Sequence, residues 1–275
     1  MAGWGLDPAS EDNKPFWLNS AEKAACYATA AGWAFRQPSG NEEILVAIRD
    51  LTTTLAGANI TSVFFDARSY DGGATGNVII AFDEAITVGG GHTGVLKVDY
   101  TGTAAGEVTS SAGVAVTGET NQIRYQFTVP TTGSATPATY TTFSVAGTGY
   151  TEATDAAATL ATVGGSGATM TGTYTADAGG NLTDVKIVGG GTDWAYNETV
   201  SVSGGGGSNG RFTLTSVQGD LALDITDDLE LTNLTAITDT VGGGAITSAI
   251  TDIRNAAKST IDGTAYSNIT VIITS

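Results

Sequence analysis

Apolar and polar positions alternate along much of the chain. Ile123, Tyr125, Phe127 and Val129 are separated by Arg124, Gln126 and Thr128, and Leu96, Val98 and Tyr100 by Lys97 and Asp99. Val78, Ile80 and Phe82 form a third series of the same kind. A period of two sends one set of side chains to a core and the other toward water, which is the signature of a half-buried strand. Turn signals separate these runs: Asp71-Gly72-Gly73, Gly89-Gly90-Gly91, and Gly118 to Asn121. Several short strands punctuated in this way predict an immunoglobulin-like β-sandwich over residues 57–145.

Residues 1–56 read differently. They hold three of the four tryptophans and three of the five prolines. An extended arm runs from Gly3 to Leu18. Asn19-Ser20-Ala21-Glu22 has an N-cap residue with an acid three positions later. It predicts a short helix through Ala24-Ala25-Cys26-Tyr27 that stops at Gly32. Trp33 to Arg36 and Glu43 to Ile48 flank Gln37-Pro38-Ser39-Gly40-Asn41, the pattern of a hairpin. The expectation is a small α/β module. A segment of this size buries little apolar surface by itself, so its aromatics are expected to pack on something else.

Residues 146–275 form a further Gly/Thr-rich β region with a weak two-copy repeat. Gly147-Thr148-Gly149-Tyr150 is echoed by Gly190-Gly191-Thr192-Asp193-Trp194. Gly164-Gly165-Ser166-Gly167-Ala168-Thr169 is echoed by Gly206-Gly207-Ser208-Asn209-Gly210-Arg211. The offset of about 42 residues lies in the range of repeat architectures, but two copies give only a pair of related hairpins. Leu221, Leu223 and Ile225 alternate with Ala222 and Asp224. A helix is expected over 247–258. The chain ends in an apolar strand, Ile269 to Ile273, which needs a partner in this chain or in a neighbour.

Composition narrows the chemistry. The 275 residues include 38 Gly, one His and one Cys, and 28 acidic residues against 11 basic ones give a net charge of −17. One His and one Cys cannot build a His- or Cys-rich metal site or a disulfide within one chain. The acidic balance disfavours nucleic acid as a partner. No apolar run approaches the length of a membrane-spanning helix, so no membrane insertion is expected. The N-terminus has no secretory pattern, so synthesis in a cytoplasm is expected.

Few side-chain sets suggest catalysis. His92 lies in a glycine-rich turn, with no nucleophile elbow in the chain, and reads as a solvated loop residue. The runs Gly189 to Gly191 and Gly204 to Gly207 lack the Lys and the following helix of a phosphate loop; they read as tight β turns using positive φ. Asp224, Asp227, Asp228 and Glu230 lie close in sequence, as do Asp66 and Asp71. Ca²⁺ takes oxygens from such carboxylates, but no Ca²⁺-loop motif is present, and no cofactor is expected. The aromatic arm stands out instead. Trp4, Pro15, Phe16 and Trp17, with Trp33, are the candidate assembly-interface residues, because Trp is enriched at interaction hot spots.

The first zone resembles the N-terminal module of virion structural proteins from tailed phages of marine cyanobacteria. The residues that carry the resemblance are the Gly-Trp-Gly start, Asn13-Lys14-Pro15 with its following aromatics, and Glu22-Lys23. They continue with Gly32-Trp33, the Pro38-Ser39-Gly40 turn and Glu42-Glu43-Ile44-Leu45-Val46-Ala47-Ile48. They cover about 50 residues, and the Gly-Thr-Gly-Tyr and Gly-Gly-Ser-Gly-Ala turns look like β modules common in the same phages. The resemblance implies a shared attachment module carrying variable β domains, and no active residues. The function expected is a non-enzymatic virion protein, most specifically a capsid decoration or cement protein, oligomeric, docking on the major capsid protein or other virion proteins. The alternative is a tail or fibre component binding host glycans, with an aromatic patch around Tyr150, Trp194 and Tyr196. A polysaccharide-degrading enzyme would need paired carboxylates in a cleft.

Overall fold

The computed structural model describes residues 14–15, 17–19, 22–23, 25–29, 31–36, 42–47, 58–83, 85–223, 230–231, 237–239 and 269–273. The described chain is mainly β and is arranged in several sheets. At the N-terminus β1 (Cys26–Thr29), β2 (Gly32–Arg36) and β3 (Glu42–Ala47) form an antiparallel sheet in the order β1-β2-β3. The expected hairpin is present as β2 and β3, with Trp33 opposite Val46 and Arg36 opposite Glu42.

The expected helix is not. Glu22 and Lys23 form a single helical turn, and Cys26 to Thr29 are strand. An α/β module is therefore not confirmed among the described residues, where only Glu22 and Lys23 are helical. Asn19 and Glu22 do form the reciprocal capping box: Glu22 N–H donates to Asn19 Oδ1 and Asn19 N–H to Glu22 Oε2, both at 2.9 Å. Helix propensity in the alanine-rich segment is worth only tenths of a kcal/mol per residue. Pairing with β2 buries Cys26 and Ala28 against Trp33, which outweighs it.

The next stretch contains β4 (Ile60–Phe65), β5 (Ser69–Asp71), β6 (Thr75–Phe82), β7 (Ile86–Val88), β8 (Leu96–Tyr100), β9 (Glu107–Thr109), β10 (Val114–Ala115), β11 (Gln122–Thr128), β12 (Thr132–Ala135) and β13 (Thr139–Tyr140). It is followed by β14 (Ala153–Thr162), β15 (Thr171–Ala176), β16 (Leu182–Gly189), β17 (Trp194–Ala195), β18 (Thr199–Gly204), β19 (Gly207–Thr213) and β20 (Val217–Ala222). β21 (Glu230–Leu231), β22 (Ile237–Asp239) and β23 (Ile269–Ile273) complete the set.

The three alternating series are strands with the expected faces inward. Ile123, Tyr125 and Phe127 on β11, Val78, Ile80 and Phe82 on β6, and Leu96, Val98 and Tyr100 on β8 are all buried. They do not share one sheet. β6 and β11 lie in a four-stranded sheet, β10-β11-β6-β4. β8 belongs to an eight-stranded sheet built on β17-β12-β20-β23-β5. Strands from before residue 145 thus pair directly with β20 and β23. The terminal strand finds both partners within the chain, antiparallel to β20 and parallel to β5. Both sheets contribute to one continuous core, in which Phe65, Tyr70 and Phe127 meet edge to face.

A six-stranded antiparallel sheet has the order β13-β16-β15-β14-β18-β19. The segment that leaves β13 crosses to the other edge. Arg211 N–H on β19 donates to Val145 O at 2.7 Å, and Thr148 and Ser208 exchange two backbone bonds at 3.3 Å. These contacts link the segment after β13 to β19, the strand at the far end of the sheet order.

Candidate functional site

The N-terminal sheet has its own small core. Cys26, Ala28 and Trp33 are buried together, with Leu18, Leu45 and Val46 packed against them. Burial raises the Cys26 thiol to about 11, opposed by the nearby positive charge of Lys14. The thiol stays protonated and unreactive at neutral pH. The Tyr27 hydroxyl donates to the Glu42 carboxylate on β3.

The five candidate interface residues divide. Trp33 is fully buried, so its indole holds the module together rather than reaching a partner. Pro15 is buried as well, and its carbonyl accepts from the Leu18 N–H at 3.1 Å. Trp17 is 53% exposed, and Ile44 on β3 is 41% exposed. Trp4 and Phe16 lie outside the described residues. Sequence alone could not separate Trp17 from Trp33, because that difference rests on which strand faces which.

Among the described residues, β1 of the N-terminal sheet meets the end of β6 through Ala28 and Asp83. Lys14 is buried, and its Nζ donates to Lys23 O at 2.8 Å. Ala28 N–H on β1 donates to Asp83 O at 2.5 Å, and Asp83 N–H donates to Asn59 O at 3.0 Å. Asp83 sits just past β6 and is completely buried. Desolvation raises its carboxyl to about 6, against the opposing effects of Asn59 and the Lys14 charge.

The two-copy repeat is an interlocked pair. Tyr150 of the first copy lies over Gly207, and Trp194 of the second lies over Gly167. Thr148 pairs with Ser208, and Thr192 pairs with Ala168. Backbone angles repeat as well. Gly147 (φ 69°) and Gly149 (φ 81°) correspond to Gly191 (φ 65°) and Asp193 (φ 62°), and Thr169 (φ 56°) corresponds to Asn209 (φ 67°). The first motif aligns as the sequence suggests. The second aligns Gly167 with Gly207 rather than with Asn209. The positive φ expected of the glycine turns is found at Gly205 and Gly206.

Tyr150 and Trp194 are therefore core residues and not an exposed patch. The Tyr150 hydroxyl donates to Val202 O at 2.5 Å and accepts from Gly210 N–H at 3.2 Å. The Trp194 Nε1–H donates to Ala168 O at 3.2 Å. Only Tyr196 is partly exposed. Glu198 sits at the same junction, and composition gave no hint of it. Its carboxylate accepts from Thr162 Oγ1 at 2.5 Å, Ala195 N–H at 2.9 Å and Gly167 N–H at 3.2 Å.

His92 is buried rather than solvated, and its Nε2 lies 3.2 Å from the Tyr125 hydroxyl. Asp66 accepts from the Tyr70 hydroxyl and, at 2.5 Å, from Asn77 Nδ2. Asp224, Asp227 and Asp228 lie outside the described residues. Among the described residues no group of three or more His, Cys, Asp or Glu is placed to hold a metal ion. No described helix is long and apolar enough to cross a membrane.

The class defined by these features is a multi-sheet β protein with a small, separately cored N-terminal sheet. Compared with known protein families and with curated proteins, the chain matches none.

Proposed function

We propose that the chain is a non-enzymatic virion structural protein. It decorates the capsid of a tailed phage of the kind its first 50 or so residues resemble. In this reading the N-terminal module attaches to the major capsid protein, copies of the chain repeat over the lattice, and the strands over 57–145 contribute to an immunoglobulin-like spacer. One observation carries it: Trp17 keeps its indole half in water while Trp33 fills the core of the same module. An exposed indole is costly to leave solvated and is the side chain most enriched at hot spots. The net charge of −17 suits a surface held at high salt, which screens its self-repulsion.

The test is co-sedimentation of the purified chain with capsids that lack it. Trp17→Ala is expected to weaken binding by at least about 10-fold, the scale of a hot-spot truncation. Its circular dichroism should not change. Trp17→Ala binding as tightly as the parent chain would remove the arm from the interface. Electron cryomicroscopy of particles supplies the location: density repeating over the icosahedral shell supports decoration. Density confined to the tail would replace it with the glycan-binding reading.

A further inference from the structure

The second copy of the repeat holds a chemically labile pair. Asn209-Gly210 is the one Asn-Gly step in the chain. Both residues are set by local geometry. The backbone at 209 lies in the left-handed region, at φ 67°, which asparagine adopts more readily than most side chains. A Cβ on Gly210 would lie 2.4 Å from Leu182 Cδ1 and 2.8 Å from the Tyr150 hydroxyl, so only glycine fits. The equivalent step of the first copy is Thr169-Met170 and carries no carboxamide. An Asn-Gly step sets a carboxamide carbon beside a backbone nitrogen that no side chain shields. Here that nitrogen is held. Gly210 N–H donates to the Tyr150 hydroxyl at 3.2 Å, and the same hydroxyl donates to Val202 O at 2.5 Å. The residues on either side are pinned too. Ser208 exchanges backbone bonds with Thr148 at 3.3 Å, and Arg211 N–H donates to Val145 O at 2.7 Å. Asn209 itself is exposed, and its Nδ2 donates to Ser208 Oγ at 3.3 Å. Water therefore reaches the carboxamide, while Gly210, whose nitrogen would attack it, is buried.

We propose that Asn209 is a deamidation site gated by the Tyr150 hydroxyl. When the interlocked pair opens locally, Gly210 N attacks Asn209 Cγ and the Cγ–Nδ2 bond breaks. The proton shed by the attacking nitrogen leaves with Nδ2 as ammonia, and a cyclic imide remains. Water then opens the ring at either carbonyl, giving aspartate or isoaspartate. No oxidant or cofactor takes part. The isoaspartate product adds a backbone atom between Ser208 and Gly210. That atom shifts β19 against Tyr150 and Thr148, so the two copies cannot close on each other as before. The site makes a transient local opening permanent. None of this depends on what the N-terminal module docks on.

Peptide mapping by mass spectrometry tests this on the full-length chain, incubated at mildly alkaline pH with and without urea. In the urea-unfolded chain Asn209 should deamidate ahead of every other asparagine. In the folded chain the same site should react at least about 10-fold more slowly, because reaction waits on an opening. Tyr150→Phe removes the acceptor for Gly210 N–H. It should speed the folded-state reaction by roughly 3- to 10-fold, the scale of one lost hydrogen bond, with its circular dichroism unchanged. If that variant does not fold, the parent chain decides alone: hydrogen exchange at the Gly210 amide and deamidation at Asn209 should rise together as sub-denaturing urea is added. Equal rates in the folded and unfolded parent would overturn the proposal. So would a folded Tyr150→Phe that reacts at the parent rate, or exchange at Gly210 that rises while deamidation does not.

Discussion

The indole of Trp194 lies against Gly167 so closely that a Cβ at that position would come within 2.1 Å of the ring. Tyr150 covers Gly207 in the same manner, at 2.3 Å. Each aromatic comes from one copy of the repeat and each glycine from the other. Two weakly similar sequence motifs therefore act as mutual lids, and neither copy can complete its packing alone.

Gly167→Ala and Gly207→Ala should each destabilise the chain by about 1–3 kcal/mol, since a rigid buried ring cannot yield to an added methyl group. Gly90→Ala is the control. A Cβ there meets nothing within 4 Å, and no unusual backbone angle holds it. It should change stability by less than about 0.5 kcal/mol. Urea unfolding of the three variants gives the comparison, and equal effects at all three sites would dismiss the interlock.

Glu198 stitches the same junction from within. Glu198→Ala removes the acceptor for two backbone N–H groups, on Gly167 and Ala195, and for the Thr162 hydroxyl. The expected loss is about 2–4 kcal/mol, because buried donors left unpaired cost more than the bonds they made. Glu198→Gln keeps an acceptor and should lose less. The order of the two midpoints in chemical denaturation checks the assignment.

Asp83 should leave a pH signature. Its carboxyl titrates at about 6 in the folded chain against an ordinary 3.8, raised mainly by burial. Between those values the folded state binds more protons than the unfolded state. Its contribution to stability is therefore fully present below about pH 4 and is lost as pH rises through about 6. The change is on the order of 3 kcal/mol. Denaturation of the parent chain and of Asp83→Asn across pH 4 to 7 should show the parent losing stability relative to the variant. Parallel profiles would place the Asp83 titration elsewhere.

The terminal strand supports the middle of a sheet. Val271 and Ile273 are buried, and β23 bridges β20 and β5. Val271→Asp puts an unpaired charge into that core and should cost at least about 3 kcal/mol. Ile272→Asp, at a position 47% exposed on the same strand, should be tolerated. Thermal melts of the two variants distinguish a structural terminal strand from a dispensable one.

Much of the local structure is legible in the sequence because local physics sets it. The pleat alone puts Ile123, Tyr125 and Phe127 on one face. The Asn19–Glu22 spacing alone makes a capping box, and the glycine runs supply the positive φ that tight turns need. What the tertiary structure decided is which of these pieces meet. Cys26 to Thr29 lack any strong local preference and became a strand because β2 offers Trp33 to pack on. Trp17 and Trp33 are the same residue type in the same module, yet only one is buried. Tyr150 and Trp194 look like a ligand-binding pair until glycines from the opposite repeat are seen beneath them. Asn59 and Asp83 lie far apart in the chain and carry no shared motif, yet they are hydrogen-bonded. Burial and long-range hydrogen bonding are properties of pairs of segments. A pattern within one segment fixes what a strand can offer, and only its neighbours fix whether that face becomes core, junction or surface.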